Sequence, residues 1–174
     1  MDHWAQRHLG QAYDAAGAWA AQGQVQGALL QALLDEPYFA KPPPKSTGRD
    51  LFEPGWLRTR LDRFPGLPAI DVQATLLALT VYTVVDALHR HAPHTRRLRV
   101  CGGGAFNAEL MRRLAASLPD VDVQDTGAEG VAPTHVEALA FAWLAQAFMQ
   151  RRPGNLPAVT GATGPRLLGA LYPA

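Results

Sequence analysis

Leu98-Arg99-Val100-Cys101-Gly102-Gly103-Gly104-Ala105-Phe106-Asn107 is the stretch whose reading decides the fold. Leu98 to Cys101 reads as a short strand, the three glycines as a turn, and Asn107 to Leu118 as a helix with Phe106, Leu110, Leu114 and Leu118 in register. A strand that ends in consecutive glycines and feeds a helix lets a ligand approach the backbone, because no Cβ blocks it. The helix N-terminus also offers free N–H groups to an anion. The same residues equally describe a tight strand-to-helix turn that needs positive φ. The stretch alone leaves both readings open.

Working outward, Asp71 to His91 reads as a long helix. Val72, Leu76, Leu79, Thr83 and Ala87 form one stripe, which Leu77, Val81, Val84, Val85 and Leu88 widen. So broad a stripe implies burial on more than one side, and Asp71 is the expected N-cap. Downstream, Val121 to Gln124 reads as a second strand. Thr134 to Gln150 reads as a third helix with Val136, Leu139, Ala140, Trp143, Leu144 and Ala147 inward. Helix–strand–helix–strand–helix order predicts an α/β fold with a parallel pair at its centre. The sheet looks thin for so much helix, which suggests that some sheet is missing. At the edges, Met1 to Gly10 reads as a helix remainder and Ala28 to Leu34 as a short helix ended by Asp35-Glu36-Pro37. Pro42-Pro43-Pro44 is extended, Lys45 to Asp50 is loop, and Leu167 to Tyr172 is an apolar piece expected to dock on the body.

The 174 residues suit one domain, and 48% hydrophobic against 18% charged residues sets a globular chain apart from a disordered one. A net charge of +1, with basic residues scattered or in pairs, gives no nucleic-acid footprint. The single cysteine, Cys101, permits no internal disulfide and fits a reducing cytoplasm. Met1 to Leu9 carries no apolar signal core, and Gln73, Thr75, Thr80, Thr83 and Asp86 interrupt the Val72–Leu88 run, so no membrane span is expected.

Among groups that could carry chemistry, Glu137 stands out. Thr134-His135-Val136-Glu137 has the spacing of a capping box, with Thr134 as N-cap and Glu137 reaching back. The functional alternative is a carboxylate at a helix start facing a cleft; spacing favours the cap. Asp35 and Glu36 read as helix-end chemistry. Cys101 reads as a buried structural thiol, and His89, His91 and His94 as a surface cluster without a closed metal site. A dinucleotide fingerprint fits poorly, since Asn107 stands at its third glycine position. Lys45-Ser46-Thr47 follows prolines where a phosphate loop needs glycines.

In combination, these segments resemble the anhydro-N-acetylmuramic acid kinases of the hexokinase–Hsp70–actin superfamily, in the order of that family's C-terminal half. The resemblance rests on Tyr13-Asp14 with Gly17, Pro37-Tyr38-Phe39, Pro43-Pro44-Lys45-Ser46-Thr47-Gly48-Arg49 and Asp71-Val72-Gln73-Ala74-Thr75-Leu76. It continues through Cys101 to Ala105 with Asn107, Val136-Glu137-Ala138, Phe141 to Ala145, Asn155-Leu156-Pro157, Thr160-Gly161-Ala162 and Leu168-Gly169-Ala170 with Tyr172-Pro173. Asp50 stands where the family usually has glutamate.

The resemblance implies the C-terminal lobe of an actin-like ATPase (ribonuclease H-like) fold, helix-rich with a small incomplete sheet, spanning residues 1–174 as one domain with the N-terminal lobe absent. It implies ATP- and Mg²⁺-dependent opening and 6-phosphorylation of 1,6-anhydro-N-acetylmuramic acid in cell-wall recycling, and commonly a homodimer. Gly102, Gly103 and Gly104 would line the nucleotide cleft with Asn107 nearby, and Glu137 would sit by the sugar. The family's first phosphate-binding segment and its Asp-Thr-Gly-Pro-Gly-Asn segment, which carries the general base, do not occur in these 174 residues. Phosphoryl transfer depends on positioning from both lobes, so the isolated chain is expected to be inactive and to self-associate through uncovered surface. The alternatives are a non-catalytic nucleotide-binding module and a small dinucleotide-binding domain.

Overall fold

A computed structural model describes residues 1–48 and 50–172. Arg49, in the expected loop, and Pro173, in the terminal motif, lie outside the described residues. The elements are α1 (Asp2–Leu9), α2 (Gly27–Leu34), α3 (Pro37–Ala40), α4 (Pro54–Leu61), α5 (Ala69–His91), β1 (Arg97–Val100), α6 (Ala108–Ser117), β2 (Asp122–Asp125), α7 (Val136–Met149) and α8 (Pro157–Thr160), with short 3₁₀ turns between them.

The expected parallel pair is present. β1 and β2 run side by side, with Arg97 opposite Asp122 and Val100 opposite Asp125. Among the described residues they form a two-stranded sheet. Parallel strands need a crossover, and α6 supplies it.

α5 organises the core, because apolar side chains occupy two of its faces. On one, Leu77 and Val81 pack with Ala20 and with Leu110 and Leu114 of α6, reached by Val100 and Val123 from the sheet. On the other, Val72, Leu76 and Leu79 meet Leu29 and Leu33 of α2, with Trp4, Trp56, Leu57 and Phe64 around them. Each fully buried leucine contributes about 1.5–3 kcal/mol. By length and composition α5 alone among the described helices is apolar enough to cross a membrane; 44% of its most apolar window is buried inside the protein.

Several expectations are corrected. α5 begins at Ala69, where the Pro68 carbonyl accepts from Asp71 N and Val72 N. Asp71 is therefore not the N-cap. Its carboxylate accepts from Gln24 N and from Gln26 Nε2, both at 2.8 Å, and pins the loop before α2. Phe106 is 60% exposed, because residues Gly103–Phe106 form a 3₁₀ turn that breaks register with α6. Cys101 is exposed rather than buried, since β1 ends at Val100 and leaves it in the loop.

The capping box at α7 does not form. Pro133–His135 make a 3₁₀ turn, so Thr134 lies inside a helical turn instead of the extended conformation an N-cap needs, and His135 in the cap position makes no side-chain cap bond. The expected inner face of α7 is also largely open. Ala147 is buried and Val136 and Leu144 are half-buried, but Leu139, Ala140 and Trp143 are exposed and Phe141 is 71% exposed. Little within the described chain covers its first turns.

The tail docks only in part. Asn155 holds it, donating from Nδ2 to Gly164 O at 3.2 Å and accepting from Arg166 N at 2.6 Å. Leu167, Leu168, Leu171 and Tyr172 all stay exposed, so the terminal apolar piece does not bury itself on the body as expected. The sequence reading missed α4, which Glu53 caps by accepting from Gly55 N and Trp56 N ahead of Pro54 at the first helical position.

Candidate functional site

The glycine bend sits at the C-terminal ends of β1 and β2, the edge of a parallel sheet where ligands commonly bind. Gly102 has φ 72° and ψ −167°, a region essentially closed to other residues. Its N–H donates to Pro133 O at 2.9 Å, its carbonyl accepts from Ala105 N, and Gly104 O accepts from Asn107 N. A Cβ built on Gly102 or Gly103 would meet nothing within 4 Å, whereas one on Gly104 would touch Leu110 Cδ2 at 3.5 Å. Two of the three glycines therefore open outward and one backs onto the core.

Asn107 is the N-cap of α6. Its Oδ1 accepts from Leu110 N at 3.0 Å, and its Nδ2 has no acceptor among the described residues. Two residues on, Glu109 is nearly buried and clamped by Arg112 (2.7 and 2.8 Å) and Arg113 (2.6 Å). Those guanidinium hydrogen bonds, from Arg112 foremost, hold its pKa down at about 2. A fixed anion in the first turn of α6 also complements the helix dipole.

Glu137 is four residues beyond Pro133, in the first turn of α7. It is exposed and has no hydrogen-bond or ion-pair partner among the described residues. The Gly102–Pro133 hydrogen bond thus ties the bend to the approach of the helix that carries Glu137.

Sequence reasoning did not find what stands behind Asn107. Asp14 is 7% exposed, and its carboxylate accepts from Trp19 N and Ala20 N, each at 2.9 Å, and from Gln73 Nε2 at 3.2 Å. Gly17, at φ 71°, lies against Asn107 and Glu109. The Tyr13-Asp14…Gly17 spacing carried the signal, but nothing local in it points 90 residues downstream.

With Gly102 N, Ala105 N and Asn107 N bonded inside the protein, Gly103 N and Gly104 N are the amides of the bend left, among the described residues, to meet an anion. Among the described residues no three His, Cys, Asp or Glu side chains cluster as metal ligands.

The model of the family "Anhydro-N-acetylmuramic acid kinase" matches residues 1–174. The chain belongs to the anhydro-N-acetylmuramic acid kinase family. It is 59% identical over 177 residues to a curated member from Bordetella petrii (strain ATCC BAA-461 / DSM 12804 / CCUG 43448), covering 100% of this chain and 47% of that relative. Members from Burkholderia orbicola (strain MC0-3) and Xanthomonas campestris pv. campestris (strain 8004) are each 56% identical, covering 99% and 100% of this chain and 46% of the relative. The chain spans about half the length of the curated kinases it matches. Membership supports phosphotransfer as the family's chemistry.

Proposed function

We propose that this chain is the C-terminal, actin-like lobe of an ATP-dependent kinase acting on 1,6-anhydro-N-acetylmuramic acid. The whole enzyme would add water at the anomeric carbon, open the anhydro bridge and transfer the γ-phosphoryl group to the freed 6-oxygen. ADP and the 6-phosphate of N-acetylmuramic acid would leave, in a cytoplasmic route that recycles cell-wall sugar. The observation that carries this reading is the outward-open bend at Gly102 and Gly103, at the C-terminal edge of a parallel pair, in a chain of this family.

In this reading Gly102, Gly103 and Gly104 give the nucleotide close access to the backbone, and the Asn107 Nδ2 group is a donor beside it. The unpaired Glu137 carboxylate orients water or a sugar hydroxyl from the start of α7. Magnesium belongs to the reading through the phosphates, and the reading assigns it to no residue of this chain.

The chain alone is proposed to be inactive. Phosphoryl transfer is accelerated by groups arranged on both sides of the nucleotide, and these 174 residues match under half of each relative. The exposed residues Leu139 and Trp143 on one face of α7, and Phe141 on the other, fit a helix that another lobe or a second copy covers.

The test is calorimetric titration of the chain with ATP and with NAD, followed by an assay for sugar phosphate with and without the separately produced N-terminal half of a relative. ATP binding, no product alone and product on mixing is the expected result. Product from the chain alone within about 100-fold of an ordinary enzyme overturns the inactivity, and NAD binding without ATP binding overturns the nucleotide assignment.

A further inference from the structure

The turn from Asp14 to Gly17 is joined to Asn107 across 90 residues of chain, and nothing in the phosphotransfer reading requires that junction. Ala16 (φ 54°) and Gly17 (φ 71°) are consecutive left-handed residues. Such a pair is strained at the alanine and persists only where its surroundings hold it.

Asp14 is the holder. Its buried carboxylate accepts three hydrogen bonds, from Trp19 N, Ala20 N and the fully buried Gln73 of α5, while its carbonyl accepts from Gly17 N at 3.0 Å. The turn is thereby bolted to the core helix.

Gly17, itself buried, then faces the first turn of α6. A Cβ there would collide with Asn107 Oδ1, would come within 3.0 Å of Asn107 Cγ and would stand 2.9 Å from Glu109 Cβ. The contact falls on the carboxamide oxygen that caps Leu110 N. Gly17 is therefore a wall that admits the Asn107 side chain in one place, with Oδ1 turned to the helix and Nδ2 left without an acceptor among the described residues.

We propose that Asp14 and Gly17 are positioning residues that set the orientation of the Asn107 carboxamide and, through the Gly104 O–Asn107 N hydrogen bond, the glycine bend. The consequence for nucleotide affinity rests on the function proposed above; the orientation of Asn107 does not.

The test uses the full chain and its variants Gly17→Ala, Asn107→Ala, Asp14→Asn and the Gly17→Ala/Asn107→Ala double variant. Two-dimensional ¹⁵N NMR without nucleotide should show the Asn107 side-chain amide and the Gly103 and Gly104 backbone amides shifting in Gly17→Ala and Asp14→Asn. Thermal unfolding should show that Gly17→Ala lowers Tm less in the Asn107→Ala background, because shortening Asn107 removes part of the collision. If Gly17→Ala alone does not fold, recovery of folding in the double variant supports the proposal and failure to recover overturns it.

For ATP, Gly17→Ala and Asn107→Ala should each weaken binding by about ten- to a hundredfold, the scale of one lost hydrogen bond to a charged group, and the double variant should weaken it no further. A purely structural turn predicts additive losses, which would overturn the proposal, as would unmoved Asn107 signals. A wild-type chain that binds no ATP removes the nucleotide reading, and the NMR and Tm results then decide the positioning by themselves.

Discussion

The Gly102 amide donates to the Pro133 carbonyl at 2.9 Å, and this single hydrogen bond makes the glycine bend and the approach to α7 one unit. The bond is possible because Gly102 sits at φ 72° and ψ −167°, where a Cβ is strained whatever the free space around it. Gly102→Ala should therefore destabilise the chain by about 1–3 kcal/mol, read as a lower midpoint in urea unfolding. An unchanged midpoint would mean that the bend relaxes without loss.

Gly103 separates the two meanings of the glycine run. A Cβ there meets nothing within 4 Å and Gly103 is not among the positive-φ residues. Gly103→Ala should change stability by no more than about 0.5 kcal/mol. If a nucleotide lies on the bend, the added methyl group should nonetheless weaken ATP binding. Equal ATP affinity in the variant and the parent chain would leave Gly103 as a turn residue only.

The first turns of α7 present Leu139 (55% exposed), Phe141 (71%) and Trp143 (48%) to solvent. Leu139 and Trp143, four residues apart, share one face of the helix and Phe141 stands on the other. Exposed apolar surface drives association, so light scattering should find dimers or larger species. Phe141→Ser should shift the population toward monomer while altering Tm little, since the phenyl ring buries little in this chain. A monodisperse, cooperatively unfolding monomer before any substitution would refute the association.

In α5 and the parallel pair the sequence was a good guide, whereas the equally periodic α7 leaves much of its expected inner face open. Val72, Leu76, Leu77 and Leu79 repeat at helical spacing and are buried, and Leu98–Val100 and Val123–Gln124 lie in the parallel pair. The bend was legible because glycines are rare where a strand meets a helix without need. Asp71, Thr134 and Phe106 misled for a common reason: each was assigned by local spacing, and a neighbouring element claimed it. The Gln24–Gln26 loop takes the Asp71 carboxylate, Pro133 starts the turn ahead of Thr134, and the 3₁₀ turn rotates Phe106 outward. The Gly17–Asn107 junction was illegible because its partners are 90 residues apart and chemically unremarkable when taken singly.

Glu36 illustrates how a residue read as helix-end chemistry becomes a hub. Its carboxylate accepts from Trp56 Nε1 at 2.9 Å, Arg60 Nη2 at 2.7 Å and Tyr38 N at 3.3 Å, joining α3 to α4. The Trp56 hydrogen bond leads the effects that hold its pKa below the ordinary glutamate value. Glu36→Ala leaves Arg60 Nη2 and the Trp56 indole N–H without their acceptor, while Arg60 Nη1 keeps Trp56 O, so a loss of about 1–3 kcal/mol is expected in chemical denaturation. Trp56 fluorescence should shift as the indole loses its partner. Neither change would occur if the hub were only a surface arrangement.

Acid stability should report the clamp on Glu109. In the folded chain the hydrogen bonds from Arg112 and Arg113 lower its pKa from 4.5 to about 2. A depressed carboxylate stabilises the fold above its unfolded pKa, and that stabilisation drains away as pH falls through the interval between the two values. Between pH 4.5 and 2 the folded state keeps Glu109 ionised while the unfolded chain takes up its proton, so Tm should fall as pH is lowered across this window. Glu36 and Asp122 are shifted in the same direction and add to the slope. The contribution of Glu109 is therefore the difference between parent and Glu109→Gln, which keeps an acceptor oxygen but cannot titrate. The two Tm profiles should lie furthest apart near neutral pH, with the parent the more stable, and converge toward pH 2. Parallel profiles would mean that the guanidinium pair leaves the folded carboxylate no more acidic than the unfolded one.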